Sequence, residues 1–174
     1  MIPALVLGHL VLQTPEKWSL GDAHGTQLYV ELRSKLFDER NGVRTLDMSL
    51  VFTATHKGKA MNRVVKELGQ TFGGPTNLAV GDFIGAGRFQ IYIELRMNAP
   101  DSWIFDYDGT KLREAYARTS GRVDTALVPQ RKGGWQIYEF WPKSQYEEEF
   151  GSAKGKVQTG GWVLRVVPLR PIKR

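Results

Sequence analysis

The chain has 174 residues and a mass of 19.6 kDa, with 41% hydrophobic, 24% charged and 11% aromatic residues. These values exclude a disordered tail, a collagen-like repeat and a coiled coil, and the absence of cysteine excludes disulfides, thiol catalysis and thiolate zinc sites. The net charge of +6 comes from residues 151–174, which contain six basic residues and no acidic one.

Residues 2–12 are apolar, but they lack the basic n-region and the small-residue cleavage site of a signal peptide and are too short to span a bilayer. We therefore predict a first, buried β-strand there and no membrane span. Cysteine-free chains occur both in the cytosol and among secreted proteins, so the compartment stays open. We favour a secreted or cell-surface location, with a leader that is not part of this sequence, over a cytoplasmic one.

Alternating apolar and polar residues predict half-buried β-strands along the rest of the chain. Glycine-rich turns such as Asn41-Gly42, Gly73-Gly74-Pro75 and Asp108-Gly109 separate them. The predicted strands cover residues 26–32, 46–53, 89–95, 103–107, 123–128, 135–140 and 162–167. Short strands with this spacing are typical of sandwiches, barrels and propellers.

Two segments are less regular. Residues 60–68 fit either an amphipathic helix of two turns or an outer strand, and the β-branched Val64 and Val65 favour the strand. The acidic run at residues 147–149 is expected to be a solvated turn or edge rather than a metal site. We predict one all-β, antiparallel domain of about 10–12 short strands over residues 1–168, followed by a basic tail at residues 169–174.

One pattern occurs twice. Gly21-Asp22, a glycine turn and Thr-Gln-Leu-Tyr-Val-Glu-Leu at residues 26–32 correspond to Gly81-Asp82, a longer turn and Phe-Gln-Ile-Tyr-Ile-Glu-Leu at residues 89–95. A third copy of the strand, Trp-Gln-Ile-Tyr-Glu-Phe, occupies residues 135–140. Self-similarity at this spacing indicates blades or another array of repeats.

These residues resemble the FG-GAP (VCBS-like) repeats of integrin-type β-propellers, best over residues 78–118, where Gly81-Asp82-Phe83-Ile84-Gly85-Ala86-Gly87 precedes a strand. The resemblance implies propeller-like blades; a closed β-barrel or a sandwich is the alternative. Three blades are too few to close a propeller, which usually has four to eight. We therefore expect exposed sheet edges and self-association, with a homodimer as the simplest product.

Calcium-binding repeats of this family place oxygen ligands at alternate loop positions, because Ca²⁺ needs six to eight of them. Asp82 fits, but Ile84 and Ala86 at the following alternate positions offer no side-chain oxygen. We therefore expect no metal and no cofactor. The expected role of Asp22 and Asp82 is to accept hydrogen bonds from turn amides, with left-handed backbone at nearby glycines. The predicted turn residues are Gly21, Asp22, Gly81, Asp82, Gly85 and Gly87, with positive φ expected at Gly81, Gly85 and Gly87.

No catalytic residue is predicted. His9, His24 and His56 lack the spacing of a metal triad, and no nucleophile elbow, phosphate loop or metalloprotease helix motif occurs. His24 beside Asp22 fits either acid–base chemistry or a turn hydrogen bond. The neighbours Asp106 and Asp108 fit either a carboxylate pair or a turn at Gly109. A hydrolase is therefore the least favoured function.

Aromatic residues are the strongest remaining indication of function, because exposed rings stack on sugars or bases and anchor protein partners. We predict a non-enzymatic recognition or scaffold module that binds protein or glycan, with Trp141 as the first candidate for exposure because it breaks the strand alternation before Pro142. The predicted ligand-binding residues are Trp103, Trp135, Tyr138, Trp141 and Tyr146, although a core position is an alternative for each tryptophan.

Two other binding functions are alternatives. One is a β-barrel that binds a small apolar ligand in a closed cavity. The other is a β domain that binds nucleic acid through the basic end of the chain, a function that we favour less because the excess charge is confined to one segment. Its candidate residues are Arg165, Arg170, Lys173 and Arg174.

Overall fold

The structure is a computed structural model that describes residues 16–23, 25–96, 100–119, 123–131 and 133–170. Within these residues the chain forms twelve β-strands and one short α-helix. The first strand predicted at residues 2–12, together with His9 and His24, lies outside the described residues.

The strands form three antiparallel sheets of four strands each. Sheet 1 has the order β1 (Glu16–Ala23), β2 (Thr26–Arg40), β3 (Val43–His56), β4 (Lys59–Phe72). Sheet 2 has the order β5 (Asn77–Gly81), β6 (Gln90–Arg96), β7 (Pro100–Tyr107), β8 (Leu112–Arg118). Sheet 3 has the order β9 (Asp124–Pro129), β10 (Trp135–Pro142), β12 (Trp162–Pro168), β11 (Gln158–Thr159), and helix α1 (Lys143–Phe150) follows β10 along the chain.

The all-β, antiparallel prediction is confirmed, and so is the strand at residues 60–68, which lies inside β4. The closed barrel is wrong, because none of the three sheets closes on itself within the described residues. The prediction for the acidic run at residues 147–149 is also wrong, because these residues belong to α1. Tyr146 and Phe150, four residues apart, share one face of that helix and pack against Trp141.

The repeated sequence pattern occupies the same place in each sheet. It falls on β2, β6 and β10, and each of these is the second strand of its sheet. Gln27 lies opposite Asp22 across the β1–β2 turn, and Gln90 lies opposite Gly81 across the β5–β6 connection. The copies share the position of the strand but not its orientation, because corresponding residues such as Leu28 and Ile91 face each other in one core.

Sheet 2 lies between the other two sheets and is buried on both faces. Successive residues of a strand point to opposite faces, so Ile91 and Ile93 pack against sheet 1, while Tyr92 packs against sheet 3. Every residue of β6 from Gln90 to Leu95 is consequently buried. Leu169, predicted to belong to the tail, packs against the core between sheets 2 and 3.

The aspartates of the repeated pattern cap their turns. Asp22 accepts a hydrogen bond from the amide of Gly25 at 2.8 Å, and Asp82 accepts two, from the amides of Ala86 at 2.8 Å and Gly87 at 2.9 Å. Gly87 has a φ of +71°, which a residue with a side chain rarely adopts.

The expectation for the backbone at the other glycines is met in part. Gly85 has the expected positive φ, at +68°. The expectation for Gly81 is wrong, because its φ is not positive. Its missing side chain makes room for the ring of Phe83, which would lie 3.0 Å from an added Cβ.

Because sheet 2 contributes to two cores, we expect the chain to unfold in one cooperative transition. Ile93 lies in the core with sheet 1 and Ile104 in the core with sheet 3, and both are fully buried. Replacing either with alanine should lower the free energy of unfolding by about 2–5 kcal/mol. Urea titrations followed by fluorescence and by circular dichroism should show the whole transition moving.

The control is Val65→Ala on the exposed side of sheet 1, which should change the free energy of unfolding little. Two separate transitions, only one of which moves in each variant, would show that the two cores are independent units.

Candidate functional site

Three of the five aromatic residues predicted to bind a ligand are buried. Trp103 lies in the core between sheets 1 and 2, where its ring stacks on Phe105. Trp141 and Tyr146 lie in a third, smaller core beside α1. The predicted exposure of Trp141 is wrong: only 5% of it is exposed, because its indole N–H donates to the buried Glu139 and its ring packs against Tyr146.

The other two aromatic residues lie on opposite faces of β10. Trp135 is half-buried between sheets 2 and 3, where its ring centroid lies 5.3 Å from that of Phe83. Tyr138 is also half-buried but points away from sheet 2. The five predicted residues therefore do not converge on one site, and only Tyr138 lies on a sheet face that the other sheets leave open.

A buried carboxylate joins sheet 3 to sheet 2. Glu139 of β10 accepts hydrogen bonds from the Tyr116 hydroxyl at 3.0 Å, the Trp141 indole N–H at 2.9 Å and the Arg165 guanidinium at 2.7 Å. The Arg118 guanidinium lies 3.5 Å from the same carboxylate and stacks over the Trp141 ring. Because Tyr116 and Arg118 belong to β8, this one carboxylate connects strands of both sheets.

The partners of Glu139 keep it ionised. Burial acts to raise its pKa, but hydrogen bonds from Arg165 and Trp141 and the charges of Arg165 and Arg118 outweigh burial and hold the pKa below its ordinary value of 4.5. Burial, together with the adjacent carboxylate, raises the pKa of the Tyr116 hydroxyl. The cluster is an ionised structural centre in which both carboxylate oxygens are engaged.

Asp106 and Asp108 have separate roles. Asp106 is buried and forms an ion pair with Arg88. Asp108 accepts hydrogen bonds from the backbone amides of Thr110 at 2.9 Å and Lys111 at 2.8 Å. Burial acts to raise the pKa of Asp108, but these hydrogen bonds outweigh it and lower that pKa. The two residues thus form a buried ion pair and a turn cap rather than a catalytic carboxylate pair.

Glu94 lies elsewhere in the interface between sheets 2 and 3 and is held by hydroxyl groups. It accepts hydrogen bonds from Thr76 at 2.9 Å, Tyr92 at 3.2 Å and Thr125 at 3.3 Å. Burial raises the pKa of the Tyr92 hydroxyl, which therefore stays protonated and can donate. Since Thr125 belongs to β9, this network is a second polar connection between the two sheets.

The outer face of sheet 3 is apolar and is not covered by any element that the structure describes. Ile137 and Glu139 of β10 face sheet 2, so Tyr138 and Phe140 point outward. On the neighbouring strands, Ala126 and Val166 lie directly opposite Tyr138. We call this surface the sheet-3 outer face; its residues are Ala126, Val128, Tyr138, Phe140, Trp162, Leu164 and Val166.

None of these seven residues belongs to the three apolar cores found in the described residues. Trp162 is 37% exposed and Val166 is 43% exposed, and the others are half-buried. Asp124 lies opposite Phe140 at one end and forms an ion pair with Arg96. The sheet-3 outer face is therefore a three-stranded apolar surface with one paired charge at its edge.

The outer face of sheet 1, at the opposite end of the stack, carries charged side chains, as is typical of a sheet face in contact with water. Lys17 lies over the ring of Tyr29, and Arg33 forms an ion pair with Glu31. A groove of about 530 Å³ on this sheet is lined by charged groups of both signs, among them Arg33, Lys35, Asp47 and Glu67. Mixed charge gives this groove no preference for an anion or a cation.

The end of the β2–β3 hairpin extends beyond β1 and exposes three large apolar side chains, which are Leu36, Phe37 and Val43. They are spread along two strands around a β-bulge and form no continuous surface comparable to the sheet-3 outer face.

Two of the four basic residues of the nucleic-acid alternative lie in the described part of the chain. The charge of Arg165 is engaged by Glu139, and Arg170 is exposed. Lys173 and Arg174 lie outside the described residues. Within the described ranges, no three His, Asp or Glu side chains are placed to hold a metal ion, and no helix is long and apolar enough to cross a membrane.

The fold and the site define an antiparallel, all-β protein in which no described element covers the sheet-3 outer face. Comparisons of the chain with models of protein families, with curated proteins and with solved structures found no match. Of the residues on this face, Tyr138 was among those predicted to bind a ligand, whereas Phe140, Leu164 and Val166 were not. The sequence does indicate a second apolar face, because both odd-numbered and even-numbered positions of β10 and β12 carry apolar residues.

We expect Glu139→Gln to destabilise the protein in a pH-dependent way. The folded-state pKa of Glu139 is below 4.5, so the carboxylate stabilises the fold above that pH, and this contribution is lost as the pH falls through the folded-state pKa. At neutral pH the loss should be about 2–3 kcal/mol, at the low end for a buried pair because both arginines are partly exposed. Urea titrations over a pH series measure it.

The control is Glu148→Gln in the exposed part of α1, which should leave the stability unchanged at every pH. A difference between wild type and Glu139→Gln that stays constant from neutral to strongly acidic pH would show that the charge of Glu139 is not what stabilises the interface.

Proposed function

We propose that the protein is a non-enzymatic recognition or scaffold module and that it binds a protein partner through the sheet-3 outer face. The observation that carries the proposal is the uncovered row of apolar side chains on three adjacent strands. Soluble monomers rarely expose continuous apolar patches larger than a few hundred Å², and such patches mark interaction sites. Aromatic residues such as Tyr138, Phe140 and Trp162 are typical anchors of protein interfaces.

The chemistry of the face favours a protein over a glycan. Sugar rings need hydrogen-bonding groups around the aromatic platform that stacks on them. Here the Tyr138 hydroxyl and the Gln136 amide are the polar side-chain groups among the outward-pointing residues of β10, and aliphatic Leu164 and Val166 lie beside them. An aliphatic and aromatic sheet surface is complemented by another apolar surface.

We further propose that the three sheets are propeller-like blades related to FG-GAP repeats. The support is the recurrence of the pattern on the second strand of each sheet, β2, β6 and β10, and the face-to-face contacts of four-stranded sheets. The capped turn at Asp82 is also consistent with this relationship.

A photo-reactive amino acid at Val166 tests the proposed function in cells that make the protein naturally. We expect a discrete cross-linked protein adduct, identified by mass spectrometry, because Val166 lies on the sheet-3 outer face and is 43% exposed. The matched control carries the same group at Val65, which is 48% exposed on the outer face of sheet 1 and should give no such adduct.

The adduct should disappear when Leu164→Lys is introduced, because a charge in an apolar interface stays unpaired. Circular dichroism verifies that this variant folds. Equal adducts from positions 166 and 65, or an adduct that persists in Leu164→Lys, would contradict binding at this face. A glycan in the adduct instead of a protein would favour the alternative that this face binds glycan.

A further inference from the structure

We infer that the partner at the sheet-3 outer face is a second copy of this chain, docked face to face about a twofold axis; this inference rests on the function proposed above. The described chain buries its large apolar sheet faces by stacking one four-stranded sheet on another, first sheet 1 on sheet 2 and then sheet 2 on sheet 3. A second sheet 3 would continue the same stack as a fourth layer, with the packing geometry of other stacked sheets.

Charge decides which surface of the second copy fits. Docking sheet 3 on the outer face of another copy's sheet 1 would bury Lys17, Glu31 and Arg33 against apolar side chains such as Leu164. Charges removed from water without new partners are costly. Docking the sheet-3 outer face on itself involves one charge, Asp124 at the edge, which Arg96 already pairs, so the twofold arrangement is favoured over a head-to-tail chain.

The layout of the face suits a twofold contact. Tyr138 lies on the middle strand of the three, directly between Ala126 and Val166. A twofold axis that runs between the two copies at the centre of the face places Tyr138 beside Tyr138 of the other copy. Each residue away from the axis then meets a residue from the opposite side of the other copy's face. The contact is therefore closed, and the product is a dimer rather than a filament.

The size of the face sets the expected affinity. Three strands about 4.8 Å apart and seven residues long at about 3.4 Å each cover roughly 350 Å² of flat sheet. A standard stable interface buries about 800 Å² of accessible surface per partner, and the corrugated side chains of a sheet expose more than its flat area. We therefore expect a concentration-dependent dimer with a Kd in the micromolar range.

The first test measures the mass of the full chain by sedimentation over a wide concentration range. The mass should rise from 19.6 kDa toward twice that value. Val166→Lys should weaken the dimer roughly tenfold or more, because each lysine would lose water against apolar side chains without gaining a partner. The matched control Val65→Lys, a similarly exposed valine on the outer face of sheet 1, should dimerise like the wild type. Thermal melts verify that both variants fold.

The second test uses the absence of cysteine from the chain. A single Tyr138→Cys substitution places a thiol near the proposed axis, and mild oxidation should link two copies through a disulfide. Val65→Cys in the same conditions should stay monomeric on a non-reducing gel. This readout does not depend on the stability of a charged variant, so it remains informative if Val166→Lys does not fold.

Each outcome separates the inference from the function on which it rests. Dimers that Val166→Lys weakens and Val65→Lys does not, together with the Tyr138→Cys disulfide, support the face-to-face dimer. Assemblies that grow beyond two copies, or that Val65→Lys disrupts, would overturn it in favour of head-to-tail stacking. A monomer at all concentrations also overturns it.

The cross-linked adduct formed at position 166 then shows which of the two proposals survives. A different protein in the adduct leaves the recognition function standing with another partner. An adduct with residues 1–15 of the same chain overturns both proposals, because the face is then an internal contact. A monomer without any adduct contradicts both as well.

Discussion

The architecture depends on the burial of both faces of sheet 2. A four-stranded sheet with apolar residues on two faces is stable in water only when two other surfaces cover it. Sheet 1 covers the face that carries Ile91 and Ile93, and sheet 3 covers the face that carries Tyr92 and Ile104. The three sheets therefore form one stack, and every other feature of the molecule is defined by its place along that stack.

The two interfaces of sheet 2 differ in chemistry. The core with sheet 1 is apolar, whereas the interface with sheet 3 encloses the carboxylates of Glu94 and Glu139. Hydrogen-bonded partners from both sheets surround these carboxylates, and losing one partner would leave a buried charge exposed to an apolar environment. The polar groups thus make any sliding of sheet 3 on sheet 2 costly, while burial of the apolar groups drives the two sheets to stack.

The sequence predicts eight of the twelve strands because apolar and polar residues alternate along them, and it misses β1, β5, β8 and β11. It does not predict which aromatic residues are buried. Trp141 is buried because Glu139 and α1 enclose it, and α1 itself follows from the packing of Tyr146 on Trp141 rather than from any strong local signal. Contacts between elements distant along the chain decide these cases, and no local pattern encodes them.

The same limit explains why the site was only partly predictable. In β10, Tyr138 and Phe140 alternate with Ile137 and Glu139, so apolar residues lie on both faces of the strand and the charged residue lies on the inner face. A sequence pattern alone assigns Glu139 to solvent and Tyr138 to the interior. Arg118 and Arg165 reverse that assignment by neutralising the carboxylate inside, which leaves Tyr138 and Phe140 facing outward. The buried ion cluster and the open apolar face are therefore consequences of one orientation of β10.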